Sequence, residues 1–140
     1  MVNNAKLSTA SLIGKNARIE EKGYFDGTSI RLTVNPDKGA TSATLIVKNA
    51  DGKEVAKEKI ELPSKTIDWS GKGTDGKVLD AGVYSFSVES FKDGKSIGEN
   101  YAEAYSEITE VTFADKKTLL TLAGDQTVLL DKIKGLRENS

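Results

Sequence analysis

The 140-residue sequence has no cysteine, no histidine, a single methionine, a single tryptophan and only two prolines. Without cysteine there is no disulfide framework and no thiolate ligand, and cysteine pairing carries no information on compartment. Without histidine the chain lacks imidazole ligands, the usual general base and, thiols being absent too, the usual nucleophile–base pairs. No long apolar run and no signal-peptide pattern occurs. Neither sign of charge dominates: 20 Lys and Arg stand against 21 Asp and Glu, a net charge of −1. Nothing global therefore drives the chain toward nucleic acid or an anionic membrane. The expectation is a protein that is not an enzyme, needs no cofactor or metal, and binds neither nucleic acid nor membrane.

What is present is β patterning. The stretch from Ile67 to Val88 is the most informative. It contains Trp69, a polar loop with Gly71, Gly73 and Gly76, and then a run in which Tyr84, Phe86 and Val88 alternate with Ser85, Ser87 and Glu89. A period of two marks a half-buried strand. Similar runs are expected at Lys15 to Glu20, Ser29 to Val34, Ala43 to Lys48, Val55 to Leu62, Lys65 to Trp69 and Ser96 to Ala104. Gly23 and Asp26-Gly27 read as punctuation, Asn35 to Gly39 as a turn, and Pro63 as a strand end. Asp51-Gly52 and Asp93-Gly94 read as hairpin turns, because glycine takes the positive φ these require. Short strands between turn signals point to an all-β sandwich or barrel.

The last third has a different texture. Glu103, Glu107, Glu110 and Asp115 lie in a stretch without Lys or Arg, as expected of a solvated strand face. Ile108, Val111 and Phe113 do not share one phase, which predicts a bulge near Thr109. Asp115-Lys116-Lys117 turns the chain, and Thr118 to Leu122 pairs with Thr127 to Leu130 around Gly124-Asp125. Val128, Leu130, Ile133 and Leu136 are expected to carry apolar contacts into a final turn or short helix.

The candidate sites are few. Asp68, Asp75 and Asp80 flank the glycine loop but lack the carboxylate spacing of a calcium loop. Gly71-x-Gly73-x-x-Gly76 spells the dinucleotide fingerprint, yet no helix follows to receive a pyrophosphate. Glu20 and Glu21, adjacent on a strand, point to opposite faces and are poorly placed for paired acid–base work. Trp69 could stack on a ligand or fill a sandwich core, and the second fits its neighbourhood better.

The block Trp69-Ser70-Gly71, Asp75-Gly76 and Ala81-Gly82-Val83-Tyr84-Ser85-Phe86 resembles the signature of the bacterial flagellar hook-capping, or hook assembly scaffold, family. The flanks resemble it too: Ser11-Leu12-Ile13-Gly14-Lys15 matches the start of that family's C-terminal core, and Ile108, Val111, Leu119 to Leu122 and Val128-x-Leu130-x-x-Ile133 its close. The resemblance covers roughly residues 8 to 137. Ser70, Gly73 and Thr74 depart from it, standing where the family often has aspartate. The resemblance implies a fibronectin-III/Ig-like sandwich over residues 24–99, inserted into a small Tudor-like barrel made of residues 1–23 and 100–140. It assigns structural signature roles to Trp69, Gly71, Gly76, Gly82, Tyr84 and Phe86. It also implies a scaffold at the distal end of the growing hook, with flagellar hook protein and further copies of itself as partners. Export would then use the flagellar apparatus, with an export segment ahead of this stretch. The Trp-to-Phe block alone is shared with Ig-like modules of secreted bacterial proteins. The alternative is therefore an accessory binding module of a secreted enzyme or adhesin.

Overall fold

A computed structural model describes residues 9–138. The chain forms two compact units, one from Glu20 to Ala104 and one from the described residues up to Ile19 together with those from Tyr105 onward.

The Glu20–Ala104 unit is an Ig-like sandwich. Its larger sheet is built on a long strand, β7 (Gly82–Lys92), with β4 (Ser42–Lys48) on one edge and β5 (Glu54–Ile60) beyond it. The other edge of β7 is shared. β2 (Lys22–Phe25) pairs with Gly82 to Ser85, and β8 (Lys95–Tyr101) pairs with Ser87 to Lys92. The second sheet places β3 (Ile30–Thr33) between β6 (Thr66–Trp69) and the first residues of β9 (Glu103–Ala114). Period-two alternation sends Leu45 and Val47 from β4, and Tyr84, Phe86 and Val88 from β7, into one core with Phe25, Ile30, Leu32 and Trp69. The β7–β8 turn has both central residues left-handed, Asp93 at φ 51° and Gly94 at φ 86°, the shape that matches strand twist.

Four expectations for this unit need correction. Gly23 does not punctuate the chain but lies inside β2, opposite Tyr84. A Cβ at that position would come within 2.8 Å of the Ala104 side chain, so the glycine is a packing requirement and not a break. The expected domain boundary at residue 23 therefore falls inside a sandwich strand. The boundary expected at residue 100 also moves, because Ala102 and Ala104 are fully buried in the sandwich core. Further along, β5 ends at Ile60, leaving Leu62 beside the core in the following segment.

The other unit is a sheet ordered β11 (Gln126–Leu129), β10 (Lys117–Leu122), β9, β1 (Asn16–Glu20) and β12 (Gly135–Arg137). Ala17, Ile19, Ile108, Leu120 and Leu122 form its core, with Leu12, Val111, Val128, Leu130 and Ile133 packed around them. The predicted bulge is present. Thr121 faces Glu110 and Leu122 faces Ile108, so Thr109 is skipped in the register with β10, and its hydroxyl donates to Thr121 O at 3.1 Å. The extra residue switches the phase and lets both Ile108 and Val111 face the core. After β11 the chain makes the expected short turn, a single 3₁₀ turn at Leu130–Lys132, and then adds a strand, β12, that the pattern does not signal. Leu136 does not carry the apolar contacts forward: it is 41% exposed.

Candidate functional site

Of the signature residues, Trp69, Tyr84 and Phe86 meet in the sandwich core. Trp69 ends β6 opposite Ile30 and has no exposed surface. Its ring lies 5.4 Å from Phe25, 5.4 Å from Tyr84 and 5.3 Å from Phe86, centroid to centroid, in tilted and edge-on contacts. Such geometries suit aromatic quadrupoles. No face of the indole is open for a ligand to stack on, and among the described residues its N–H has no hydrogen-bond partner.

The glycine loop after Trp69 is a miniature hairpin. Lys72 pairs with Val78, Gly73 N–H donates to Lys77 O at 2.9 Å, and Leu79 N–H donates to Gly71 O at 2.8 Å. Gly71 is buried at φ 89°, and a Cβ there would run into the Phe25 ring. Gly76, at φ 81°, sits in open space at the tip. Gly82 begins β7 with ordinary backbone geometry, and nothing in the structure requires glycine there.

The aspartates near this loop serve local structure. Asp68 Oδ1 accepts from Arg31 Nε at 3.2 Å, Asp75 Oδ1 accepts from the Lys77 N–H at 3.0 Å, and Asp80 O accepts from the Tyr84 hydroxyl at 2.6 Å. Among the described residues no three Asp, Glu, His or Cys side chains are grouped to hold a metal ion. Upstream, two hydrogen bonds from Thr28, side chain first and backbone second, lower the pKa of the Asp26 carboxyl below its usual value.

Burial raises the Tyr84 hydroxyl above its ordinary pKa of 10.0, and the Asp80 charge adds to the effect. The neutral phenol is therefore favoured in the folded state. Its contribution to stability is complete below pH ~10 and is lost as pH rises through the raised value. Tyr84→Phe should cost about 0.5–1.5 kcal/mol at neutral pH by removing the bond to Asp80 O. It should also flatten the alkaline end of a stability–pH profile measured by urea unfolding. An unchanged alkaline limb would show that Tyr84 does not set it.

The surface chemistry lies on the strand edges. β5 is an edge strand bearing Glu54, Lys57, Glu58 and Lys59, a charge pattern that discourages strand addition. β8 is the less protected edge, with Ile97 and Tyr101 exposed by 41% and 55%. Sequence reasoning did not single out these two. Ile97 is the extra residue of a bulge beside Gly98, and the broken alternation hid the exposed side of the strand. An open groove of about 460 Å³ lies in the same unit, walled by Val34, Pro36, Leu62 and Pro63. Edges and grooves of this kind can hold a protein segment.

These features define an all-β protein with an Ig-like sandwich, in which Trp69, Tyr84 and Phe86 lie in the core and Gly71 and Gly76 in a tight loop. A family model, the FlgD Ig-like domain, matches residues 19–94, and the chain belongs to that family. The resemblance to hook-capping proteins read from the Trp-to-Phe block is thereby borne out. The fold is similar to that of FlgD from Xanthomonas campestris, with a TM-score of 0.76 and 20% identity over 95% of this chain and 98% of the other. That structure was described for its insights into the hook capping essential for flagellar assembly. FlgD from P. aeruginosa is similar over 88% of this chain and 96% of its own, with a TM-score of 0.69 and 21% identity. At these identities the likeness is one of fold. A search of curated proteins found no match.

Proposed function

We propose that this protein is a flagellar hook assembly scaffold. It caps the distal end of the growing hook and assists the addition of hook subunits without catalysing a reaction. The observation that carries this reading is the family match over residues 19–94. The flanking segments, Ser11 to Lys15 and Val128 to Ile133, support it, because an Ig-like block borrowed by another secreted protein has no need of them. In this reading the unit built on β1 and β9–β12 is a Tudor-like barrel, and Glu20–Ala104 is its fibronectin-III-like insert. The partners are hook protein and further copies of the chain, and export runs through the flagellar apparatus. Contact is made by β surfaces and open strand edges, which need no titrating or nucleophilic side chain.

The test is genetic. Cells lacking the gene should be non-motile and should carry basal bodies without hooks in electron micrographs. The full-length gene should restore hooks, and a version lacking residues 14–136 should not. Normal hooks in the deletion strain would overturn the reading and favour an accessory binding module.

A further inference from the structure

We propose that β12 is an exchangeable strand. It leaves β1 while the rest of its unit stays folded, and the β1 edge it vacates accepts the same strand from a second copy of the chain. This does not rest on the hook-cap reading, and either can fail without the other.

The proposal starts from how β12 is held. It has three cross-strand pairs: Asn16 with Arg137, Ala17 with Leu136, and Arg18 with Gly135. None of its three residues is buried. Leu136 lies opposite Ala17, which is wholly buried, yet Leu136 is itself 41% exposed. The core therefore stops at Ile133. The contacts beyond it are polar and near the surface. Arg137 lies over the Tyr105 ring at 5.1 Å, Arg18 Nη2 donates to Lys134 O at 2.9 Å, and Lys15 Nζ meets Glu138 Oε1 at 3.4 Å, with the Glu138 side chain 81% exposed. Exposed ion pairs and cation–π contacts hold weakly.

The opposite edge of the same sheet segment is held differently. Gly14 N–H donates to Ile108 O, and Ile108 N–H to Lys15 O, both at 2.8 Å, and beside them Ala17, Ile19 and Ile108 share one core. An element with few buried apolar contacts opens at lower free energy than the core it borders. Once it opens, β1 presents a row of unpaired N–H and C=O groups, which is a template for another strand.

Gly135 contributes to the fit of the strand. A Cβ at this position would stand 2.9 Å from the Arg18 guanidinium carbon and 3.1 Å from one of its nitrogens. A side chain there would push that guanidinium, at the end of a flexible side chain, off Lys134 O and the Tyr105 hydroxyl. An arriving strand therefore matches best with glycine opposite Arg18 and arginine two residues later over Tyr105, and β12 of a second copy supplies both. Exchange of identical elements regains every contact of the closed monomer.

Hydrogen exchange on the intact protein tests the first half. The protected amides of Gly135–Arg137, and those of Asn16–Arg18 that face them, should exchange at least ~100-fold faster than those of Ile108 and Leu120. Arg137→Gln should speed them by a further two- to five-fold or so. Equal rates for β12 and the core would overturn the proposal. The second half is tested with the pair Ala17→Cys and Leu136→Cys, which is unambiguous because the chain has no other cysteine. Oxidation in dilute solution should join the two positions within one chain. At high concentration peptide mapping should find position 17 of one chain bonded to position 136 of another, in a covalent dimer. A bond within the chain at every concentration would overturn the exchange.

Discussion

Trp69→Ala should destabilise the sandwich by about 3–5 kcal/mol and lower its melting temperature by roughly 10 °C or more. The ring has no exposed surface and contacts three other aromatic rings at centroid separations of 5.3–5.4 Å. Its removal leaves a cavity beside residues that are themselves pinned. Phe25 is jammed against Gly71, and Tyr84 is tied by its hydroxyl to Asp80 O. Neighbours that cannot move in cannot shrink the void, so the cost should lie toward the upper end. The loss is one of packing, because among the described residues the buried indole N–H has no partner to leave behind. Trp69→Phe should accordingly cost much less. Calorimetry on the three proteins checks this, and an alanine variant that melts like the parent would place the indole outside the core.

Gly71→Ala should be nearly as damaging although it adds only one carbon. A side chain at φ 89° carries a backbone penalty of about 1–2 kcal/mol. The new methyl also runs into the Phe25 ring, and overpacking of this kind costs about 1–3 kcal/mol more. Gly76→Ala separates the two effects. Gly76 has a similar φ of 81° with open space around it, so only the backbone penalty should remain. Urea midpoints for both variants give the comparison, and Phe25→Leu combined with Gly71→Ala should recover part of the loss by making room. Equal midpoints for the two alanine variants would remove the clash from the account.

Strands whose periodicity is local are legible in the amino-acid sequence. β7 alternates cleanly through Tyr84, Phe86 and Val88, and its turn at Asp93-Gly94 needs only the conformational freedom of glycine. The bulge at Thr109 is legible for the same reason, since a phase slip between Ile108 and Val111 is itself a local pattern. β2 is not legible. Gly23 is glycine because Ala104, 81 positions later, leaves no room for a Cβ, and nothing adjacent in sequence signals this. Gly71 carries the same kind of hidden constraint through Phe25. β12 is three residues long and buries none of them, so it has no periodicity to show. Ile46 lies off the inward phase of β4 and is buried all the same, with Lys57 and Ser87 opposite it on the flanking strands. The exposed Ile97 and Tyr101 are obscured because an edge strand looks like any other strand until its neighbours are placed.

The hydrogen bond from Glu21 N–H to Ala102 O, 2.8 Å long, has a consequence for the order of folding. The unit containing β1 and β9 is assembled from two chain segments separated by residues 20–104. Drawing such segments together across an unstructured loop of that length costs about 4 kcal/mol in chain entropy, before any contact between them compensates. The folded sandwich removes most of that cost, because this bond already fixes one of its ends beside the other. The sandwich should then form first, closing β2 onto β7 and enclosing Trp69. The discontinuous unit follows quickly, as its two halves no longer have to find each other by diffusion of a long loop. A substitution that slows formation of the sandwich should delay both units together.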